Sequence, residues 1–360
     1  MGHQICYMSM LRRAVKVGRK FQNPVPTVVG GPGLILKVLP QFLLNKEERE
    51  PRQPLGPFRT DASVYGSAPM SGLRVTWMGH SSMLVEIDGV RVLVDPVWDE
   101  RAAPVQWAGP RRFFEAPLPL EELPRVDVVL VSHDHYDHLG ASTVRRLSGL
   151  QPEARWVTSL GVGGVLRRFG VQVERITELD WTEMASVEGA NGATCAITSL
   201  PSRHFSGRSA FNRFETLWAS FVLRGASHNV YFGSDSGWWE GIAEIGVEYG
   251  PFDLTMLEIG AYNDLWRQIH LGPDGAGRAF RALGAAGGGM GLLMPIHWGL
   301  FDLALHGWRQ PIDRLLEVAD AEGLKLWAPE PGLPTEVVRG VEVRSDWWRQ
   351  GERLNTDSHR

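Results

Sequence analysis

From Leu73 onward, apolar residues recur in short runs broken by turns, and the pattern is strand-like before it is helical. Leu73–Met78, Met83–Ile87 and Val90–Val94 follow closely on one another, the last two separated by Asp88-Gly89. That dipeptide favours a tight hairpin, because both residues tolerate the positive φ such a turn needs. Asp95-Pro96 ends the third run. Val126–Ser132 is continuously apolar, as expected of a strand covered on both faces. It leads directly into His133-Asp134-His135-Tyr136-Asp137-His138, and a helix is expected over Ser142–Leu147. A strand and a helix are expected within Trp156–Phe169, with a further element at Val171–Ile176. Later strands are expected at Ala193–Leu200, Trp218–Leu223, Asn229–Gly233, Leu254–Ile259 and Gly291–Ile296, with helices around Asp274–Leu283 and Pro311–Glu322. Each half is strand-rich and then helical. This predicts an α/β architecture of four layers, αββα, with two mixed sheets face to face and helices outside.

Residues 1–70 read as an N-terminal extension, 71–335 as the catalytic domain and 336–360 as a C-terminal tail. Within the extension, Val28–Leu44 is apolar but is interrupted by Gly30, Gly31, Pro32, Gly33, Lys37 and Pro40. It falls short of the ~20 apolar residues a bilayer span needs. Beside the cations Arg12, Arg13, Lys16, Arg19 and Lys20, it suits an arm packed on the domain, with peripheral membrane contact as the alternative. No apolar signal segment directly follows those cations. Cys6 lies near the N-terminus and Cys195 in the apolar run Ala193–Ile197, which argues against a disulfide framework. A cytoplasmic location, possible also at the membrane periphery, is the resulting expectation.

Charge narrows the substrate. The formal net charge is −4, and no basic stripe stands out, so nucleic acid is not expected as a partner. A small-molecule or lipid-like substrate is expected instead.

The chemistry concentrates at strand ends. His133, His135 and Asp137 alternate in an extended segment and so share one side; a turn at His138 brings a fourth ligand round. His204 follows Ala193–Leu200, Asp235 follows Asn229–Gly233, and His297 follows Leu292–Ile296. Imidazole and carboxylate ligands suit zinc and similar divalent ions. Seven candidates exceed one tetrahedral site and suit two ions about 3.5–4 Å apart, sharing a carboxylate and a hydroxide. A single histidine is more often a surface or core residue than a ligand. Three histidines and two aspartates within six residues after an apolar strand are another matter. Asp134 is out of phase with the ligands and is expected to face solvent or to support them from behind. Asp95 is expected either to orient a ligand histidine or to form a plain turn. His3, His228 and His359 are expected at the surface, and Cys195 in a buried strand.

The motif at 133–138, with Gly-His-Ser-Ser at 79–82 and Asp95-Pro96, resembles the metallo-β-lactamase superfamily. More narrowly, it is similar to the N-acyl-phosphatidylethanolamine-hydrolysing phospholipase D branch and its bacterial relatives. Arg101-Ala102-Ala103-Pro104, Glu178-Leu179-Asp180-Trp181, Pro201-Ser202-Arg203-His204-Phe205 and Pro295-Ile296-His297-Trp298-Gly299 carry that narrower likeness. The resemblance implies that His133, His135 and His204 hold one metal, that Asp137, His138 and His297 hold the other, and that Asp235 bridges them. It also brings His270, which alone reads as a helix-flanking histidine, into the site. Ser234-Asp235-Ser236-Gly237, Asn263-Asp264-Leu265-Trp266 and Leu300 depart from the branch on loops that would shape the pocket.

The expected activity is hydrolysis of a phosphodiester by a metal-bridging hydroxide, with Asp137, Asp235 and His270 as the catalytic residues. The two ions are expected to be zinc, with iron and manganese as alternatives. A lactonase or carboxyl-ester hydrolase of the L-ascorbate-6-phosphate lactonase type is the first rival. A di-iron redox or merely metal-binding protein is the weaker one, because His138 stands where a carboxylate would favour redox chemistry and no flavin-binding segment is seen.

Overall fold

The computed structural model describes residues 9–30, 38, 40–41, 44, 46–209, 211–285 and 290–350. A small hairpin, β1 (Lys16–Val17) and β2 (Lys20–Phe21), precedes two large sheets. The first contains β3 (Leu73–Gly79), β4 (Ser82–Ile87), β5 (Val90–Val94), β6 (Val128–Val131), β7 (Arg155–Ser159) and β8 (Ile176–Leu179). The second contains β9 (Met184–Glu188), β10 (Thr194–Leu200), β11 (Ser220–Arg224), β12 (Asn229–Phe232), β13 (Leu254–Glu258) and β14 (Leu292–Ile296). After β15 (Trp327–Ala328), β16 (Thr335–Glu336) joins the edge of the first sheet, and β17 (Val343–Arg344) pairs with β15.

Local chemistry accounts for the pairing. Asp88 and Gly89 have φ of 47° and 91°, giving the tight turn that pairs Ile87 with Val90. Strands β5 to β8 are parallel, so each return needs a crossover, and the helices Ala141–Leu150 and Gly163–Arg168 fill two of them. Side chains alternate as the pleat requires. Val75, Val85, Val92 and Leu130 enter the core shared with the second sheet, while Leu84, Leu93, Val129 and Val131 pack with Val144, Leu147 and Leu166 of those helices. On the second sheet, Ile245, Phe280 and Leu315 bring the helices Gly241–Tyr249, Gly272–Gly284 and Gln310–Glu322 into the large core. The fold is the αββα sandwich.

Several local expectations change. Val173–Arg175 is a 3-10 turn and the strand starts only at Ile176, because Gly170, at φ 99°, turns the chain out of the preceding helix. Strand β9 carries little apolar signal, being a mostly exposed edge with Met184 in solvent. The helix Gly241–Tyr249 contains two glycines, which argues against a helix on propensity alone. Gly246 is there for packing: a Cβ would lie 2.3 Å from the Leu283 carbonyl oxygen of the neighbouring helix.

The ends of the chain are built in more deeply than a tail and an extension. Glu336 pairs with Arg74 of β3, and Trp347 and Trp348 are buried, Trp347 packing on Trp77, Trp298, Phe58 and Phe114. Leu11, Phe21 and Phe58 belong to the same core. Residues 31–37, the centre of the apolar stretch, lie outside the described residues, as do His3, Cys6 and His359. Among the described residues no helix is long and apolar enough to cross a membrane.

Candidate metal centre

Strands from both sheets end on one edge of the sandwich. His80 directly follows β3, Asp95 follows β5, Ser132 and His133 follow β6, Asp235 lies just past β12, Glu258 is the last residue of β13, and His297 follows β14. The chain must turn sharply there. His80, Asp95, Ser234, Ala261 and His297 have φ of 55°, 38°, 51°, 52° and 62°. Left-handed backbone at a non-glycine residue costs about 1–3 kcal/mol and persists only where surrounding structure enforces it. Here it turns side chains inward toward a common point.

All seven residues expected as ligands meet at that point. Asp235 is central: its Oδ1 lies 3.2 Å from His138 Nε2, and its Oδ2 lies 3.1, 3.4 and 3.9 Å from the Nε2 atoms of His297, His204 and His133. His135 Nδ1 lies 2.9 Å from His133 Nε2 and 3.4 Å from His204 Nε2. Asp137 Oδ2 lies 3.2 Å from His297 Nε2 and 3.5 Å from His138 Nε2. Three overlapping groups result, one of His133, His135, His204 and Asp235, one of His80, Asp137, His138 and His297, and one of Asp235, His270 and His297, each with its candidate ligand atoms within 4.8 Å of one another. Asp235 reaches all three.

The donor set fits divalent cations. His138 Nε2 and Asp235 Oδ1 are buried 3.2 Å from each other and make no hydrogen bond, an arrangement an interior does not tolerate cheaply. Nitrogen and carboxylate donors converging in this way are what zinc-like ions select.

Supporting contacts hold the ligand rings. Asp95, fully buried, accepts from His138 Nδ1 at 2.7 Å and from the Ser132 amide and hydroxyl at 2.7 and 2.6 Å. Such a bond fixes the ring and leaves Nε2 to face the centre. His204 Nδ1 donates to the Ile269 carbonyl at 2.9 Å. Asp134 is wholly buried and does not face solvent; its carboxylate accepts from the Gly207 amide at 2.7 Å, tying the 133–138 loop to the segment after His204. His228 is half-buried, lying 2.7 Å from Asp88 far from the centre, and Cys195 is buried in β10.

Protonation follows the charges. Burial opposes charge on His297, but the Asp235 and Asp137 carboxylates outweigh it and hold its pKa up at about 10. His138 is likewise held well above the ordinary histidine value, against burial, by Asp235, Asp137 and Asp95. Burial and the neighbouring His297 push His80 down to about 3. Thus the carboxylates are matched by protons on two rings, protons that a metal ion would displace.

Sequence reasoning did not place three groups here. His80 Nε2 lies 2.9 Å from Asp137 Oδ2. The strand-end rule that selected the others could have found it, since it follows β3 directly. Glu258, fully buried, accepts from His270 Nδ1 at 2.5 Å and from the Leu271 and Ser236 amides at 3.0 and 2.9 Å. It ends an apolar strand and so read as a strand boundary. The third is the arm: Val29 and Gly30 form part of the pocket wall over the centre. That pocket, about 330 Å³, has His135, Asp137, His204, Asp235, His270 and His297 on its floor and Val29, Phe205, Trp266 and Leu303 among its apolar walls.

A buried histidine–carboxylate centre at one edge of an αββα sandwich defines a metal-dependent hydrolase site. The chain belongs to the family described as the beta-lactamase superfamily domain, which residues 90–298 match. It is similar to an uncharacterised protein of Mycobacterium tuberculosis, 46% identical over 279 residues, covering 78% of this chain and 72% of that one. It is also similar to N-acyl-phosphatidylethanolamine-hydrolyzing phospholipase D 1 of Caenorhabditis elegans, 36% identical over 263 residues, covering 71% of this chain and 72% of that one. Among solved structures, an isothiocyanate hydrolase from Delia radicum gut bacteria shares the fold, with a TM-score of 0.56, 19% identity, and 73% and 99% of the two chains covered. The protein is a metal-dependent hydrolase of the metallo-β-lactamase superfamily.

Proposed function

We propose that the chain is a phosphodiesterase acting on a lipid-like phosphodiester with two divalent cations, zinc in the first instance. The observation that carries this reading is the composition of the pocket: a floor of cation-binding side chains beneath apolar walls, in a chain 36% identical to a phospholipase D. Apolar walls take an acyl or alkyl portion and exclude water, while the floor takes the phosphoryl group.

His133, His135, His204, Asp235, Asp137, His138 and His297 would hold the divalent cations, whose chemistry when bound would be to activate a water and polarise the phosphoryl oxygen. The protein's own groups do the rest. Asp137, which lines the pocket, would hold the proton of the attacking water. Glu258 accepts from His270 Nδ1 and His270 lines the pocket, so that in its imidazolium form the ring would carry a second proton, on Nε2, to give to the leaving alkoxide. Tyr136 and the segment after His204 keep the ligand loop in place through the Tyr136 hydroxyl, which donates to the Arg208 carbonyl at 2.7 Å.

Contact with a lipid surface belongs to the same proposal. Val28 and Phe211 are 71% and 93% exposed beside the pocket-lining Val29 and Arg213. Replacing both by Ser should lower co-sedimentation with anionic vesicles.

The deciding experiment is metal analysis of the purified protein followed by turnover of bis-p-nitrophenyl phosphate, acyl esters and lactones. Phosphodiester turnover that requires metal and is lost in Asp235→Ala is the expected result. Turnover of lactone or ester alone would replace this reading with a lactonase or carboxyl-esterase.

A further inference from the structure

Arg213 lines the pocket above the metal centre, and its surroundings are unusual for an arginine. Its guanidinium carbon lies 4.7 Å from the Phe205 ring centroid, and that ring in turn packs 4.6 and 4.9 Å from the rings of His135 and His204. Arg213 is therefore one aromatic ring removed from the cation-binding floor. Its Nη1 donates to the Gly30 carbonyl of the arm at 2.9 Å, while its Nε is buried and unpartnered. Among the described residues no carboxylate pairs with it. Burial alone pulls its pKa down, and nothing acidic raises it. A half-buried arginine whose Nε is buried without a partner and which has no carboxylate beside it among the described residues, in the wall of a substrate pocket, is suited to an anion on the ligand.

The arm fixes this arrangement. Asn23 Nδ2 donates to the His204 carbonyl at 2.8 Å, the Val28 amide to Gln268 at 2.7 Å, and Arg203 to Thr27 and the Pro26 carbonyl at 2.9 and 3.0 Å. Residues 23–30 thus run across the pocket rim as a strap whose last described residues meet Arg213.

We propose that Arg213 is a specificity-determining residue. It receives a negative charge, a carboxylate or phosphate, carried on the part of the substrate that does not react, and the 23–30 strap is the wall that holds it in place. This rests on the phosphodiesterase reading for the reacting group but concerns the opposite end of the substrate. The rival role is mechanical, Arg213 being only the clasp of the strap.

The test compares p-nitrophenyl butyl phosphate with the analogue carrying a carboxylate at the end of the butyl chain. Wild-type protein should favour the carboxylated diester in KM by about tenfold or more, the value of one charge-assisted hydrogen bond. In Arg213→Gln the ratio should fall to near one, with metal content by mass spectrometry unchanged; Arg213→Lys should restore part of it. Calorimetric binding of the same two compounds reads the preference without turnover. Absent hydrolysis with an Arg213-dependent binding preference would sink the phosphodiesterase reading alone. No preference in the wild type, or Arg213→Gln lowering both compounds in equal proportion, would overturn the inference.

Discussion

His138 and Asp95 are joined by a 2.7 Å hydrogen bond in which both side chains are wholly buried. The bond spans two parallel strand ends, β6 and β5, and it decides which nitrogen of His138 faces the centre. Asp95→Ala should therefore lower metal affinity by about tenfold to a hundredfold, measured by competition with a chromogenic chelator. An affinity equal to wild type would show that packing alone orients the ring.

His80 stands 2.9 Å from Asp137, and burial holds it neutral. It either joins the ligands or steadies the Asp137 carboxylate. In both roles His80→Ala should weaken one class of metal site about tenfold and spare the other, as read by titration with zinc. A uniform loss across both classes would point to misfolding instead.

His270 is held by Glu258 and touches the pocket. His270→Gln should reduce turnover of bis-p-nitrophenyl phosphate by about a hundredfold while metal content stays at the wild-type level. Glu258→Gln should act in the same direction and shift the pH–rate profile, because it changes the charge facing the His270 ring. Loss of metal in His270→Gln would make His270 a ligand.

Proton release should accompany metal uptake. The folded-state pKa values of His138 and His297 are raised, so both rings carry protons at neutral pH, and a metal ion must displace them. The sign is then fixed: affinity falls as pH drops and rises as pH climbs toward about 10, where His297 has lost half of its proton. Zinc titration calorimetry in buffers of different ionisation enthalpy should show protons released at pH 7. Metal binding without proton release would contradict this charge assignment.

Trp347, 2% exposed, packs against Trp77, Trp298, Phe58 and Phe114 from beyond the expected domain boundary. Trp347→Ala should cost about 3–5 kcal/mol in urea unfolding. Because Trp298 follows the ligand His297 directly, the loss should also loosen the centre and weaken metal binding.

Much of the architecture was open to a reader of the chain alone. The short apolar runs from Leu73 to Val94 and the apolar strand before His133 set the sheets, because a strand buried on one or both faces must show that burial in its residues. The cluster 133–138 was legible for a similar reason, its ligands being neighbours in sequence. His204, Asp235 and His297 could be suspected because strands end beside them. Tertiary structure alone decided what came with them. Glu258 needed the parallel pairings that set which strand ends meet, whereas His80 lay within reach of the same strand-end reasoning. Asp134 needed the contact with Gly207 that buries it. The strap at 23–30 and Arg213 depend on hydrogen bonds to carbonyls nearly two hundred positions apart in the chain. Spacing along a sequence encodes local periodicity, but the meeting of distant segments is written in packing, where no short pattern reports it.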